Sequence, residues 1–233
     1  MLRIFTDFDG PIMDVSERYY RVYQFCLEQI KRPDQPISVL SKEEFWKLKR
    51  SRVPERQIGI LSGLDEAQAP EFSQLRRDTV HTLPYLVHDK PVPGAIATLE
   101  KLHRANVDLA IMTMRRTREL EIPFKDHNLQ RFFKTDRCYC LPNDYIKTGD
   151  VKDKPLLMER ALKELSPATE NWAIGDTEAD IIAAKTNNVH AIGVLSGIRD
   201  RAQLEQYNPD FIVANLTDAI ALIEKQSSLP LVG

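Results

Sequence analysis

A chain of 233 residues with 42% apolar content can build one full-sized domain, or a domain with an insert, around a real core. A formal net charge of −2, with Lys and Arg scattered along the chain, argues against a nucleic-acid binder and against binding to a membrane surface. Three cysteines and five scattered histidines give neither a disulfide framework nor zinc-type spacing, so Cys138 and Cys140 read as small residues filling a strand in a reducing compartment. No run approaches the ~20 apolar residues of a membrane span. The first strand starts at the initiator Met, which leaves no room for a cleaved leader and makes the cytoplasm the expected location.

Leu2-Arg3-Ile4-Phe5-Thr6 reads as a short buried strand that runs straight into Asp7-Phe8-Asp9-Gly10. Residues two apart on a strand share a face, so Asp7 and Asp9 are expected to reach one reaction centre, with Gly10 turning the chain after them. Two carboxylates side by side cost folding energy unless a cation or a substrate lies between them. Asp14-Val15-Ser16-Glu17 has the form of a capping box, with Asp14 as cap, and Tyr19, Val22, Tyr23, Cys26, Leu27 and Ile30 then recur at helical spacing. Ser41-Lys42-Glu43-Glu44 opens a second helix, Pro54 starts a third that stops near Gly63, and residues 65–87 read as helix broken at Pro70 and Pro84.

After Pro91-Val92-Pro93-Gly94 the pattern changes. Helices are expected at 95–105, 155–165, 181–185 and 216–225, and strands at 107–113, 137–141, 172–174, 190–195 and 211–213. Strands alternating with helices indicate an α/β fold with a Rossmann-like parallel sheet core. The helical stretch at 16–88 interrupts that alternation and reads as an inserted cap domain, leaving 1–15 and 89–233 as the core.

In such a sheet, ligands bind beyond the carboxyl ends of the strands. Four groups fall there: Asp7 with Asp9; Thr113, whose hydroxyl and the following N–H groups of Met114 and Arg115 suit an anion; Lys154, at a helix start; and Gly175-Asp176-Thr177-Glu178-Ala179-Asp180. Singly, each has an ordinary explanation. Acidic turns are common, a lone Thr often ends a strand, Lys154 can be a solvated lysine, and Asp176 and Asp180 can complement a helix dipole. Four in order, each at the expected strand end, are harder to explain that way.

With these motifs the chain resembles the haloacid dehalogenase-like hydrolase superfamily over nearly its whole length. Asp7-Phe8-Asp9-Gly10 matches the first motif of that family, Thr113 the second, Lys154-Pro155 the third, and Gly175 to Asp180 the fourth. The helical insert is similar to its C1-type cap, and the tail from Gly193 to Val213 looks like the phosphoglycolate phosphatase-like branch.

The resemblance implies a Mg²⁺-dependent phosphatase of a small phosphorylated metabolite, working as a monomer or homodimer. Asp7 would be the nucleophile and Asp9 the acid/base, with Thr113 and Lys154 stabilising the phosphoryl group and Gly10 lining the substrate. Asp7, Asp176 and the backbone carbonyl of Asp9 would hold the metal, while Asp180 would touch it or orient what does. A carboxylate at Asp9 favours phosphate esters over carbon–halogen bonds. In the locally basic stretch from Lys47 to Arg56, Arg52 or Arg56 is a candidate contact for an anionic substrate group, set against the plainer reading of a solvated helix end; Arg115 and Arg116 are similar candidates. A phosphosugar mutase of the β-phosphoglucomutase type and a non-catalytic regulatory homologue are the alternatives.

Overall fold

The computed structural model describes residues 1–227. They form two compact units, one of Val15–Asp89 and one of Met1–Asp14 with the described part of Lys90–Gly233.

The chain opens with β1 (Leu2–Thr6), buried along its whole length, and reaches β2 (Met13–Asp14) after a tight turn. The helical unit follows, with α1 (Ser16–Ile30), α2 (Lys42–Arg50), α3 (Glu55–Leu61), α4 (Ala69–Thr79) and α5 (Leu83–Leu86). Its apolar stripes meet in one core, where Tyr23 stacks on Phe45 at 4.7 Å and Phe72 meets Tyr23 edge-on at 6.3 Å. The cap position falls one residue later than expected: Val15, not Asp14, immediately precedes α1, and Asp14 pairs with Lys90 in a two-stranded ribbon. Pro70 and Pro84 do not break one helix but sit in the first turns of two, where a missing N–H costs nothing. The Ser41 box is present, with the Glu44 N–H donating to Ser41 Oγ at 3.2 Å and the Ser41 N–H to Glu44 Oε2 at 2.9 Å. Ser41→Ala is therefore expected to lower stability by ~1 kcal/mol in a denaturant titration.

The chain then runs through β3 (Lys90–Pro91), α6 (Ala95–Arg104), β4 (Asp108–Arg116), α7 (Thr117–Asp126), β5 (Cys138–Leu141) and α8 (Asp150–Glu164). It continues with β6 (Glu170–Gly175), α9 (Glu178–Thr186), β7 (His190–Val194), α10 (Arg201–Glu205), β8 (Phe211–Val213) and α11 (Leu216–Gln226). Six strands form one parallel sheet in the order β5-β4-β1-β6-β7-β8, the α/β architecture expected. From central β1 the chain builds outward through β4 and β5 on one side, then through β6, β7 and β8 on the other. That reversal places a crevice at the carboxyl end of β1. At the opposite end of β1, Arg3 is buried and satisfied, its Nε 2.6 Å from Asp108 Oδ2 and its Nη2 donating to Ser166 O at 2.8 Å.

The end of β4 and the start of α8 differ from expectation. β4 continues to Arg116, so Thr113 lies inside the strand, between Met112 and Arg116, where the register with β5 slips. α8 begins at Asp150, because Asp153 reaches back to the N–H groups of Thr148 and Gly149 at 2.8 and 3.1 Å and caps the turn. Lys154 thus sits inside the helix, with Pro155 after it, and not at its start. α7 and α10 were not anticipated. Among the described residues, no helix is long and apolar enough to cross a membrane.

Candidate active site

Asp7 follows β1 directly, and its N–H donates to Ile174 O at 2.8 Å, so the β1–β6 pairing extends one residue past the strand. It is the sheet that fixes Asp7. Asp9 is placed differently: β1 ends at Thr6, and residues 7–10 enter a turn closed by Gly10 N–H to Met13 O at 2.8 Å and Met13 N–H to Phe8 O at 2.9 Å. The expected strand alternation does not carry Asp9, although its charge is still near enough to disfavour ionisation of Asp7.

Lys154 is buried and joins two carboxylates. Its Nζ lies 3.1 Å from Asp7 Oδ1 and contacts Asp180 Oδ1. Asp180 divides its oxygens: Oδ2 accepts from the Thr177 N–H at 3.0 Å and from Thr177 Oγ1 at 2.6 Å, which caps α9. Asp180 therefore closes the first turn of α9 with one oxygen and meets Lys154 with the other. Asp176, just past β6, accepts the Ile198 N–H on Oδ2 at 2.6 Å. Asp176 Oδ1 is buried and makes no hydrogen bond, and Asp7 Oδ1 faces the Lys154 ammonium.

Glycines let these carboxylates approach the backbone. A Cβ on Gly10, whose φ is +89°, would meet Asp176 Cγ at 2.4 Å, and one on Gly197 would meet Asp176 Oδ2 at 1.9 Å. A Cβ on Gly175 would meet Asp180 Cγ at 2.0 Å. Gly175→Ala is expected to push Asp180 off Lys154, costing ~1–3 kcal/mol in a denaturant titration and lowering kcat/KM with it.

Carboxylate oxygens of Asp7, Asp176 and Asp180 lie within 4.8 Å of one another. Three buried carboxylates face one ammonium. Burial first, then the neighbouring Asp180, pushes the Asp176 carboxyl up to about 7 against the Ile198 N–H and Lys154. Burial likewise raises Asp7 well above the usual range although Lys154 pulls it down, with Asp180, Asp176 and Asp9 adding to the rise. Burial works against the charge on Lys154, but Asp180 and Asp7 together raise its pKa. An all-oxygen donor set whose ionisation burial disfavours, with an Asp176 oxygen left unpaired, suits a hard divalent cation. The linkage has a definite sign. Between the ordinary carboxylate value and about 7 the folded state holds a proton that the unfolded state has lost. Metal-free stability should fall with rising pH there, by about 1.4 kcal/mol per pH unit for each such proton. Thermal melts of chelated protein from about pH 5 to about pH 8 check this, and excess Mg²⁺ should raise Tm most at the alkaline end.

Thr113 is buried, and its Oγ1 accepts the Arg115 N–H at 3.2 Å, which leaves its own hydrogen to donate elsewhere. Met114 packs its side chain into the core, so only its backbone faces the role expected of it. Arg115 has a partner that sequence did not reveal. Its Nη2 lies 2.7 Å from Asp9 Oδ1, its Nη1 donates to Glu119 O at 3.1 Å, and its guanidinium lies 5.0 Å from the Phe8 ring centroid. Fully buried, Arg115 is placed to hold Asp9, where sequence suggested that it would hold substrate. Arg116 turns to Glu119 and to Tyr145 O. Arg52 and Arg56 are exposed residues of the helical unit, Arg52 in a turn at φ 58° and Arg56 on α3.

A profile of the HAD-hydrolase-like family matches residues 151–219, the segment that supplies Lys154, Asp176 and Asp180. The chain is 24% identical over 224 residues to pyrophosphatase PpaX of Oceanobacillus iheyensis, covering 94% of this chain and 95% of that one. It is 24% identical over 157 residues to a phosphoglycolate phosphatase of Vibrio parahaemolyticus, covering 65% and 62% of the two chains. A haloacid dehalogenase-like family hydrolase of Streptococcus pneumoniae superposes with a TM-score of 0.67 at 21% identity, covering 95% of this chain and 97% of that one, which speaks for the fold. Residues 151–219 thus match the HAD-hydrolase-like family, and the chain as a whole is similar to phosphatases such as these.

Proposed function

We propose that this protein is a Mg²⁺-dependent phosphatase that hydrolyses a small phosphorylated metabolite through an aspartyl-phosphate on Asp7. The observation that carries the reading is the buried set of Asp7, Asp176 and Asp180 around Lys154, with one carboxylate oxygen of Asp176 left without a hydrogen bond. Asp7, Asp176 and Asp180 would hold the cation, which when bound would offset the charge of the phosphoryl oxygens.

The remaining steps belong to the chain's own residues. Asp7 attacks phosphorus, and the bond from phosphorus to the leaving oxygen breaks. Asp9, anchored by Arg115, gives its proton to that oxygen, then takes one from the water that attacks phosphorus and frees Asp7. Lys154 keeps Asp7 oriented and meets a phosphoryl oxygen, while the Thr113 hydroxyl donates to another. The helical unit of Val15–Asp89 serves as the cap that reads the leaving group, with Arg52 and Arg56 as its exposed cations. Two relatives bear the names pyrophosphatase and phosphoglycolate phosphatase, so the shared class is a small phosphate compound.

A panel of phosphate esters and anhydrides, assayed with Mg²⁺ and with chelator, tests the reading. Mg²⁺-dependent release of inorganic phosphate is expected for at least one compound. Isomerisation of a sugar phosphate without phosphate release would instead identify a mutase, and no turnover of any compound would leave only the non-catalytic alternative.

A further inference from the structure

The helical unit carries a charged cluster of its own. Arg76 on α4 is only 5% exposed, with its Nη1 3.0 Å from Glu55 Oε1 at the start of α3. Lys49 on α2 pairs with the same Glu55 oxygen. Both cations gather at the Tyr19 ring with Arg18 beside them, at 4.7 Å from the centroid for Arg76, 5.8 Å for Lys49 and 5.3 Å for Arg18. Arg18 lies 3.0 Å from Asp89. Arg18, Lys49 and Arg76 thus gather around one ring, with Glu55 and Asp89 beside them.

The hydrogen bonds do not close. Arg76 Nε and Nη2 are both buried without a partner. Those two nitrogens share one edge of the guanidinium, the edge that grips an oxyanion with two parallel bonds. The Tyr19 ring attracts the cation electrostatically, but the in-plane N–H groups still need an acceptor's lone pair. Glu55 Oε2, on the carboxylate that pairs with Arg76 Nη1, is also buried without a partner. It needs a donor. A ligand that meets both demands is an oxyanion carrying its own proton, which hydrogen phosphate does and sulfate does not.

We propose that the Val15–Asp89 unit contains a phosphate-binding site, in which the free edge of Arg76 and the Lys49 ammonium hold the anion and Glu55 Oε2 accepts its hydroxyl. The occupant is inorganic phosphate or a phosphate group on a small molecule.

Arginine-labelled full-length protein, followed through its Nε–Hε resonances, tests this site, with the Arg76 signal assigned from Arg76→Lys. Inorganic phosphate is expected to move that signal saturably, and sulfate at matched ionic strength to bind at least ~10-fold more weakly, a gap of ~1.4 kcal/mol. Glu55→Gln should remove the preference. Equal shifts with sulfate, or no shift with phosphate, would overturn the proposal. These outcomes do not depend on hydrolysis. The source is read kinetically, and this arm alone rests on the phosphatase reading. If Arg76→Lys raises KM for a compound with two phosphate groups but not for p-nitrophenyl phosphate, the occupant is the substrate's second phosphate. If KM changes for neither while phosphate still titrates the wild-type signal, the occupant is free phosphate.

Discussion

Asp7→Asn is expected to cut kcat by ~10⁴-fold or more while leaving the metal-free protein at least as stable as the wild type. The two effects have one origin. Asp7 is buried among Asp9, Asp176 and Asp180, and burial with those neighbours raises its pKa, so its charge is expensive when no cation is bound. Asparagine keeps the shape, removes that charge, and cannot attack phosphorus to form an acyl phosphate. Lys154 retains Asp180 as a partner. Steady-state kinetics and chelated thermal melts on the same preparation check both halves. A large drop in Tm together with the activity would mean that the variant lost structure, and not a nucleophile.

Lys154→Met should act with the opposite sign on stability. It removes the cation between Asp7 and Asp180 and leaves both carboxylates buried with Asp176. Removing one partner from a buried ion pair costs ~3–5 kcal/mol, and the loss should grow with pH as the carboxylates ionise. Added Mg²⁺ should restore part of the stability, because the cation offsets the same charge. It should not restore turnover: losing a donor aimed at the phosphoryl oxygens costs ~10²–10³-fold in kcat. Urea titrations with and without Mg²⁺, alongside initial rates, separate the two. An unchanged urea midpoint would show that Lys154 is solvated, the plain reading available for any single lysine.

The contrast between these variants explains what could be read from the chain. Asp7, Asp176 and Asp180 were legible because each stands at or just past the carboxyl end of an apolar run, and in a parallel sheet those ends converge. The alternation of runs gave the sheet, and the break in alternation after β1 gave the helical stretch. Their interaction was not legible. That Lys154 ties Asp7 to Asp180 depends on α8 crossing near α9, and an early start of α8 at Asp150 was hidden by Pro155, which looks like a first-turn residue.

Arg115 shows a second limit. Following Thr113, it suggested an anion contact, but inside β4 it meets Asp9, a residue more than a hundred positions away in a turn. Long-range partners of buried arginines leave no local periodicity. The same holds for Gly197 and Ile198, which press a bare backbone and an N–H against Asp176. A glycine two residues after Leu195 was visible, but its reason was not. Helix ends were read correctly where a local hydrogen bond decides them, as at Ser41, and wrongly at Asp14, where a two-residue ribbon with Lys90 claims the backbone.

The central claim is that Asp7 carries the phosphoryl group. Acid-quenching the enzyme during turnover and mapping peptides by mass spectrometry tests it most directly. A phosphoryl adduct on Asp7 that appears with substrate, disappears when substrate is exhausted and is absent from Asp7→Asn is the result predicted. Full turnover with no adduct, matched by equal turnover in Asp7→Asn, would contradict it.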